Sequence, residues 1–307
     1  MTISRAPRIA VGPSNVAAWV HDAVVDGGAE IVPPEDAEAL VWGAARDVDG
    51  LSQTLSRHPH LRWVQLPFAG IENFAHLIDG NRHWTCGKGV YAEPVAEMAL
   101  GLMLAGLRGL GTYARQHTWS GPRGRNLQGA RVTILGGGGI TESLIRLLEP
   151  FDCHITVVRR HVAPMDGVAD VLPSDRYHHA LPGADAVVLA LPLTKETEGM
   201  IGSGELVAME DHAWLINVAR GRHVVTEDLV SALTEGSIGG AALDVTDPEP
   251  LPDGHPLWTL PNCIITPHVG NTPDMAVPLL SERIRQNVRR WAAGGQLLGP
   301  VYPELGY

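Results

Sequence analysis

Little in this 307-residue sequence suits a membrane, an oxidising compartment or a nucleic acid. The apolar run over residues 98–107 is closed off by Glu97 and Arg108, and ten residues fall well short of the ~20 that a bilayer-crossing helix needs. The first residues lack the basic, apolar and small-residue regions of a signal peptide, so none is expected. Cysteine is scarce. Cys86, Cys153 and Cys263 are odd in number and far apart, which argues against a disulfide framework or a paired metal-ligand spacing and fits free thiols in a reducing cytoplasm. Positive charge is also short. The formal net charge is −11, and basic residues gather only at Arg159 with Arg160 and on the 283–290 helix face, so no nucleic-acid surface is expected. Internal repeats and low-complexity segments are absent, which leaves a small molecule as the expected partner.

What is present is an ordinary globular composition, 45% hydrophobic, with length for roughly two domains. Over residues 1–92, short apolar runs at 8–12, 29–32, 40–43, 61–67 and 83–86 read as strands, with helices at 15–25 and 48–58 between some of them. That alternation predicts a parallel sheet with helices on its faces. Ala69 and Gly70 follow the fourth run, and in open α/β sheets ligands bind beyond the carboxyl ends of strands. Residues 93–116 predict one long helix, apolar nearly all round, of the kind buried between domains or subunits. A polar, Gly-rich loop follows over 117–129.

A second α/β unit begins at RVTILGGGGITESLIRLLEP, residues 131–150, which reads as a buried strand, four glycines and a helix. Gly136 and Gly138 fit the first two glycines of a dinucleotide-binding fingerprint, whose turn lets backbone approach a pyrophosphate at a helix N-terminus. The third glycine is replaced by Thr141, which predicts a helix set slightly outward. Further buried strands are read at 153–158, 186–191, 213–218, 239–245 and 263–266, and a last helix at 273–293. The pattern predicts a nucleotide-binding domain over 93–272 and a discontinuous domain made of 1–92 with 273–307. The second strand of the nucleotide unit ends in Arg159 and Arg160, where an acidic residue would accept bonds from an adenosine 2′-hydroxyl. Two guanidinium groups hold a 2′-phosphate instead, which predicts NADP(H) in preference to NAD(H).

Three stretches fall at strand ends of that same sheet: INVARG with Arg220, ALDVTDPEPLP with Glu249, and ITPHVG with His268. An arginine, a carboxylate and a histidine on one rim with the Gly-rich turn suit reduction of a ketone, which needs a cation beside the developing oxyanion and a proton donor. A neighbouring carboxylate orients the imidazole and favours its proton-bearing form.

With these motifs the chain resembles the D-isomer-specific 2-hydroxyacid dehydrogenases, from LPFAGIENF through KGVYAEPVAEMALGLMLAGLR and LPLTKET to NVARG, LDVTDPEPLP and TPHVG. The resemblance implies two doubly wound α/β domains, a Rossmann nucleotide domain and a flavodoxin-like substrate domain. It implies Arg220 as substrate anchor, His268 as acid/base and Glu249 as its partner in reducing a small 2-keto acid, glyoxylate-like or hydroxypyruvate-like, to the D-2-hydroxy acid. It places Asp244, Pro192 and Val218 on the nicotinamide side, Gly139 and Ile140 at the pyrophosphate, and Ala69 with Gly70 at the substrate carboxylate. Phe68 is expected in the side-chain pocket. A homodimer through the nucleotide domain is implied as well. Departures from the family pattern are Thr141, Arg159 in place of Asp, Cys86 in place of Asn and Pro273 in place of Thr. The sequence stops before the regulatory domain of the longer phosphoglycerate dehydrogenases. A formate dehydrogenase would resemble a Gln-His arrangement, which Glu249 opposes. The alternative from another class is a co-repressor-like, dinucleotide-sensing binding protein, and long tails suited to that role are absent from the sequence.

Overall fold

The computed structural model describes residues 5–302, and the chain divides into two compact units, Met1–Tyr91 with Thr272–Tyr307 and Ala92–Asn271. The first unit is built on a five-stranded parallel sheet of β1 (Arg8–Gly12), β2 (Glu30–Ile31), β3 (Ala39–Trp42), β4 (Trp63–Gln65) and β5 (His83–Thr85), in the order β2-β1-β3-β4-β5. That is the flavodoxin-like order. Alternate residues of each strand face opposite sides. Ile9, Val41 and Trp63 pack with Val20 and Val24 of α1 (Ala18–Asp26) and with Leu280, Ile284 and Val288 of α8 (Pro273–Ala292). Ala10, Leu40 and Val64 pack on the other side with Leu51 and Leu55 of α2 (Val48–Arg57), whose start is capped by Asp47 accepting from the Gly50 amide at 2.9 Å. The last helix therefore completes the core of the first unit. Its fit to α1 is close: a Cβ on Gly27 would lie 2.6 Å from the Val288 Cβ.

The second unit carries a seven-stranded parallel sheet in the order β12-β11-β10-β9-β6-β7-β8. Its strands are β6 (Arg131–Leu135), β7 (His154–Arg159), β8 (Asp170–Pro173), β9 (Ala186–Leu189), β10 (Trp214–Asn217), β11 (Gly240–Leu243) and β12 (Cys263–Ile265). Every residue of β9, β10 and β11 is buried, as expected of strands covered on both faces. The helices are α3 (Ala92–Leu107), α4 (Leu110–Ala114), α5 (Gly139–Leu148), α6 (Ser203–Ala208) and α7 (Thr226–Glu235). From β6 the strand order runs one way to β7 and β8 and the other way through β9 to β12, so the topological switch lies between β6 and β9. Ligands bind beyond the carboxyl ends of strands at such a switch, and there the Gly-rich turn stands.

Two elements differ from the sequence-based expectation. The single helix anticipated over 93–116 is two helices, because Gly109 takes the left-handed conformation with φ 65° and ends the continuous turn before α4 begins. The strand β8 was not anticipated. It is an edge strand of four residues, none fully buried and one of them Asp170, so it carries no apolar run to announce it.

Candidate active site

The turn after β6 is shaped by its glycines. Gly136 has φ 121°, its amide donates to the Val158 carbonyl at 2.8 Å, and a Cβ there would stand 2.1 Å from the Ala190 carbonyl oxygen. No side chain fits. At Gly138, the residue before α5, a Cβ would meet nothing within 4 Å, so the helix start is open to an approaching ligand. No side chain caps this ten-residue helix, which leaves the first amides, Gly139 and Ile140 among them, for an anion. A pyrophosphate fits this cradle. Thr141 is wholly buried, and its hydroxyl donates to the Gly136 carbonyl at 3.0 Å. The extra bulk at the third fingerprint position is thus absorbed by a hydrogen bond that ties the turn to the helix.

Arg159 ends β7 with its stem laid over the turn: a Cβ on Gly137 would be 2.7 Å from the Arg159 Cβ and 2.9 Å from Nε. Its guanidinium makes no hydrogen bond or ion pair among the described residues. With Glu142, Ile145, Arg146, Pro164, Met165 and Asp166 it lines a cavity of about 360 Å³. Arg160 is exposed, and its charge helps to lower the Glu196 carboxyl, after the hydrogen bonds that Glu196 receives from Thr194 and from its own backbone. Pro192 is exposed just beyond β9, whereas Val218 is 6% exposed and packs into the core beneath.

Arg220, Glu249 and His268 stand beyond the carboxyl ends of β10, β11 and β12, three neighbouring strands. The His268 Nδ1 lies 2.7 Å from the Glu249 Oε1, and both side chains are nearly half exposed. Behind Arg220 the buried Asn217 shapes the loop, accepting from the Ala219 amide at 3.0 Å and donating to the Arg220 carbonyl at 2.9 Å. The next residue brings two loops together, since a Cβ on Gly221 would sit 1.9 Å from the Thr246 carbonyl oxygen. The backbone leading to Glu249 thus lies against the turn that presents Arg220.

Asp244 anchors the histidine. It is 3% exposed; Oδ1 accepts from the Thr266 hydroxyl at 2.6 Å and the Val269 amide at 2.9 Å, and Oδ2 from the Gly270 amide at 2.9 Å. The His268 amide donates to the Asp244 carbonyl at 2.8 Å. His268 itself has φ 54°, a left-handed conformation that a non-glycine residue keeps only under such constraint. The Asp244 carboxylate, which the family resemblance sets on the nicotinamide side, thus holds the His268 loop.

Ala69 and Gly70 lie in the first unit, in the loop after β4. The Gly87 amide donates to the Phe68 carbonyl at 2.9 Å, the Tyr91 hydroxyl to the Pro67 carbonyl at 3.0 Å and the Cys86 thiol to the Ala69 carbonyl at 3.8 Å. Burial pushes the Tyr91 phenol and the Cys86 thiol above their ordinary range, so both remain donors. Phe68, 47% exposed, leans on Tyr91 with ring centroids 6.3 Å apart.

One residue that sequence reasoning missed is His223, wholly buried, with ring nitrogens on the Thr197 carbonyl at 2.9 Å and the Leu191 carbonyl at 3.2 Å. Its only signal is a histidine three residues past Arg220, just before the apolar pair Val224-Val225.

Residues 100–270 match the family model described as D-isomer specific 2-hydroxyacid dehydrogenase, NAD binding domain. An uncharacterised protein in the proB 3′ region of Corynebacterium melassecola is 35% identical over 296 residues, 93% of this chain and 95% of that protein. The glyoxylate/hydroxypyruvate reductase A HPR2 of Arabidopsis thaliana is 33% identical over 276 residues, 86% of this chain and 85% of that one. The structure of a D-isomer specific 2-hydroxyacid dehydrogenase from Xanthobacter autotrophicus Py2, in complex with NADPH and MES, superimposes with a TM-score of 0.86 at 25% identity, covering 99% of this chain and 100% of that chain.

Proposed function

The chain belongs to the D-isomer specific 2-hydroxyacid dehydrogenases, NAD(P)-dependent oxidoreductases, and on that premise we propose that it reduces a small 2-keto acid, glyoxylate-like or hydroxypyruvate-like, to the D-2-hydroxy acid. The observation that carries this reading is the 2.7 Å bond between His268 and Glu249 on the strand end next to that of Arg220. When bound, the dinucleotide supplies the hydride. The rest is work for side chains. As the ketone carbon accepts hydride, its oxygen gains negative charge, and the Arg220 guanidinium is the cation that holds it and the substrate carboxylate through forked contacts. With Nδ1 committed to Glu249, the imidazole presents Nε2 to the same oxygen and delivers the proton there. Glu249 fixes the ring's tautomer and orientation, as the third member of a triad does. The backbone of Ala69 and Gly70 is the cradle for the substrate carboxylate, and Phe68 beside it favours small substrates.

NADPH is the preferred reductant in this reading. Its support is Arg159, whose stem lies over the phosphate-binding turn and whose guanidinium is uncommitted among the described residues, together with Arg160 beside it. A homodimer in the cytoplasm is part of the same proposal, supported by the full exposure of Trp119 and the 53% exposure of Leu110 in the nucleotide unit and by three unpaired thiols. Steady-state assays with glyoxylate, hydroxypyruvate, pyruvate and bulkier keto acids test the reaction. His268→Ala should lower kcat by roughly 10² to 10⁴ with dinucleotide binding retained, and an unimpaired variant overturns the assignment.

A further inference from the structure

The segment from Leu191 to Ile201 runs along the one from Arg220 to Val225. The Gly199 amide donates to the Arg222 carbonyl at 2.8 Å, the Ile201 amide to the His223 carbonyl at 3.0 Å and the Val225 amide to the Ile201 carbonyl at 2.9 Å. Arg222 pairs with Glu198 at the surface. These bonds hold the far end of the segment, from residue 198 onward. The near end, residues 191–197, carries Pro192 and is held differently. Within it the Thr197 hydroxyl donates to the Pro192 carbonyl and accepts from the Thr194 amide, both at 2.8 Å, which folds the loop on itself. Its carbonyls at Leu191 and Thr197 both face the His223 ring, the Leu191 oxygen at Nε2 and the Thr197 oxygen at Nδ1. One buried imidazole thus spans the two ends of the loop.

The same residue is fixed to the other side of the site. His223 closes the short turn Gly221–His223, its amide donating at 3.3 Å to the Arg220 carbonyl that Asn217 also bonds. We propose that His223 is a positioning residue, which sets the cofactor-side loop 191–197 in register with the turn that presents Arg220. This rests on the reading of Pro192 as cofactor-side and of Arg220 as substrate anchor. A neutral imidazole donates from one nitrogen, so either tautomer ties one end of the loop. Without the ring, the loop loses its tie to the Arg220 turn and residues 191–197 retain their internal bonds.

The test uses amides that each reproduce one nitrogen: the Asn Nδ2 stands near the place of the imidazole Nδ1 and the Gln Nε2 near that of Nε2. Fluorescence titration of the folded enzyme with NADPH should show H223L binding about tenfold more weakly than wild type, the effect of one buried hydrogen bond. At least one of H223N and H223Q should recover to within about threefold, while Thr197→Val, with the ring intact, should weaken binding less than H223L does. H223L binding as tightly as wild type overturns the proposal, as does failure of both amides to improve on it. Should H223L not fold, the amides carry the test, and both binding more than about tenfold weaker than wild type is the refuting result. The titration needs no keto acid. A protein that shows this pattern yet reduces no keto acid tells against the reaction and leaves the role of His223 standing.

Discussion

Asp244→Asn tests how His268, the proposed acid/base, is held. The carboxylate has three donors on it, the Thr266 hydroxyl and the amides of Val269 and Gly270. An asparagine can turn its oxygen toward Thr266 and Val269, but its NH₂ then faces the Gly270 amide, and a buried donor is left unpaired. That costs about 1–3 kcal/mol, and the two surviving bonds lose their charge assistance. The released strain pulls the same way, because His268 is held at φ 54° against an intrinsic preference of the order of 1–2 kcal/mol. About 2 kcal/mol lost from a loop whose one task is to place the imidazole lowers kcat/KM by roughly 10- to 100-fold, at 1.36 kcal/mol per decade. The thermal midpoint should fall by about 4–8 °C for a unit of this size. The assay is oxidation of the reduced dinucleotide with a keto acid, alongside a melt and a dinucleotide titration. Thr266→Val, which removes one donor and leaves the carboxylate its two amides, should cost less than Asp244→Asn on every measure. Wild-type kcat/KM in Asp244→Asn, or a loss confined to dinucleotide affinity, refutes the anchoring role.

Three further outcomes are expected. Arg159→Asp should narrow or reverse a preference for NADPH of roughly ten- to hundredfold in kcat/KM, and equal efficiencies with both reductants in the parent count against the arginine reading. Burial pushes the Cys153 thiol up to about 11 and the Cys263 thiol up to about 12 from an ordinary 9.0. The folded protein keeps thiol protons that the unfolded chain gives up, so stability should be fully held below pH 9 and decline as pH rises toward 11–12, with Cys263 unreactive to alkylation in the native state; fast native alkylation at pH 8 would contradict the burial. Trp119→Glu should shift sedimentation from dimer toward monomer, and a wild-type monomer at micromolar concentration removes the dimer.

Much of this architecture was legible because it rests on local patterns. The all-buried strands read as short apolar runs, and the turn at Gly136 announced itself because only glycine tolerates the Ala190 carbonyl 2.1 Å from a would-be Cβ. Arg220, Glu249 and His268 were legible as three strand ends on one rim. What stayed hidden depends on tertiary partners. Asp170 gives no apolar signal for β8 because an edge strand is covered only in part. Arg108-Gly109 looks like the interior of a helix until the left-handed Gly109 is seen. His223 follows Arg222 in a segment that reads as a polar turn, and only the fold brings the Leu191 and Thr197 carbonyls to its ring.

The discontinuous first unit has a consequence for the order of birth of the two halves. A ribosome makes β1 to β5 first, yet one face of that sheet waits for Leu280, Ile284 and Val288, roughly two hundred residues and tens of seconds of synthesis later. Throughout that interval Ile9, Val41 and Trp63 have only α1 on their side of the sheet and lack the cover of α8. The nucleotide unit, whose strands and helices lie wholly within Ala92–Asn271, is finished before α8 leaves the tunnel. The half that begins first therefore matures last, and a nascent chain arrested short of Leu280 would hold a closed nucleotide unit joined to an apolar, chaperone-attracting sheet.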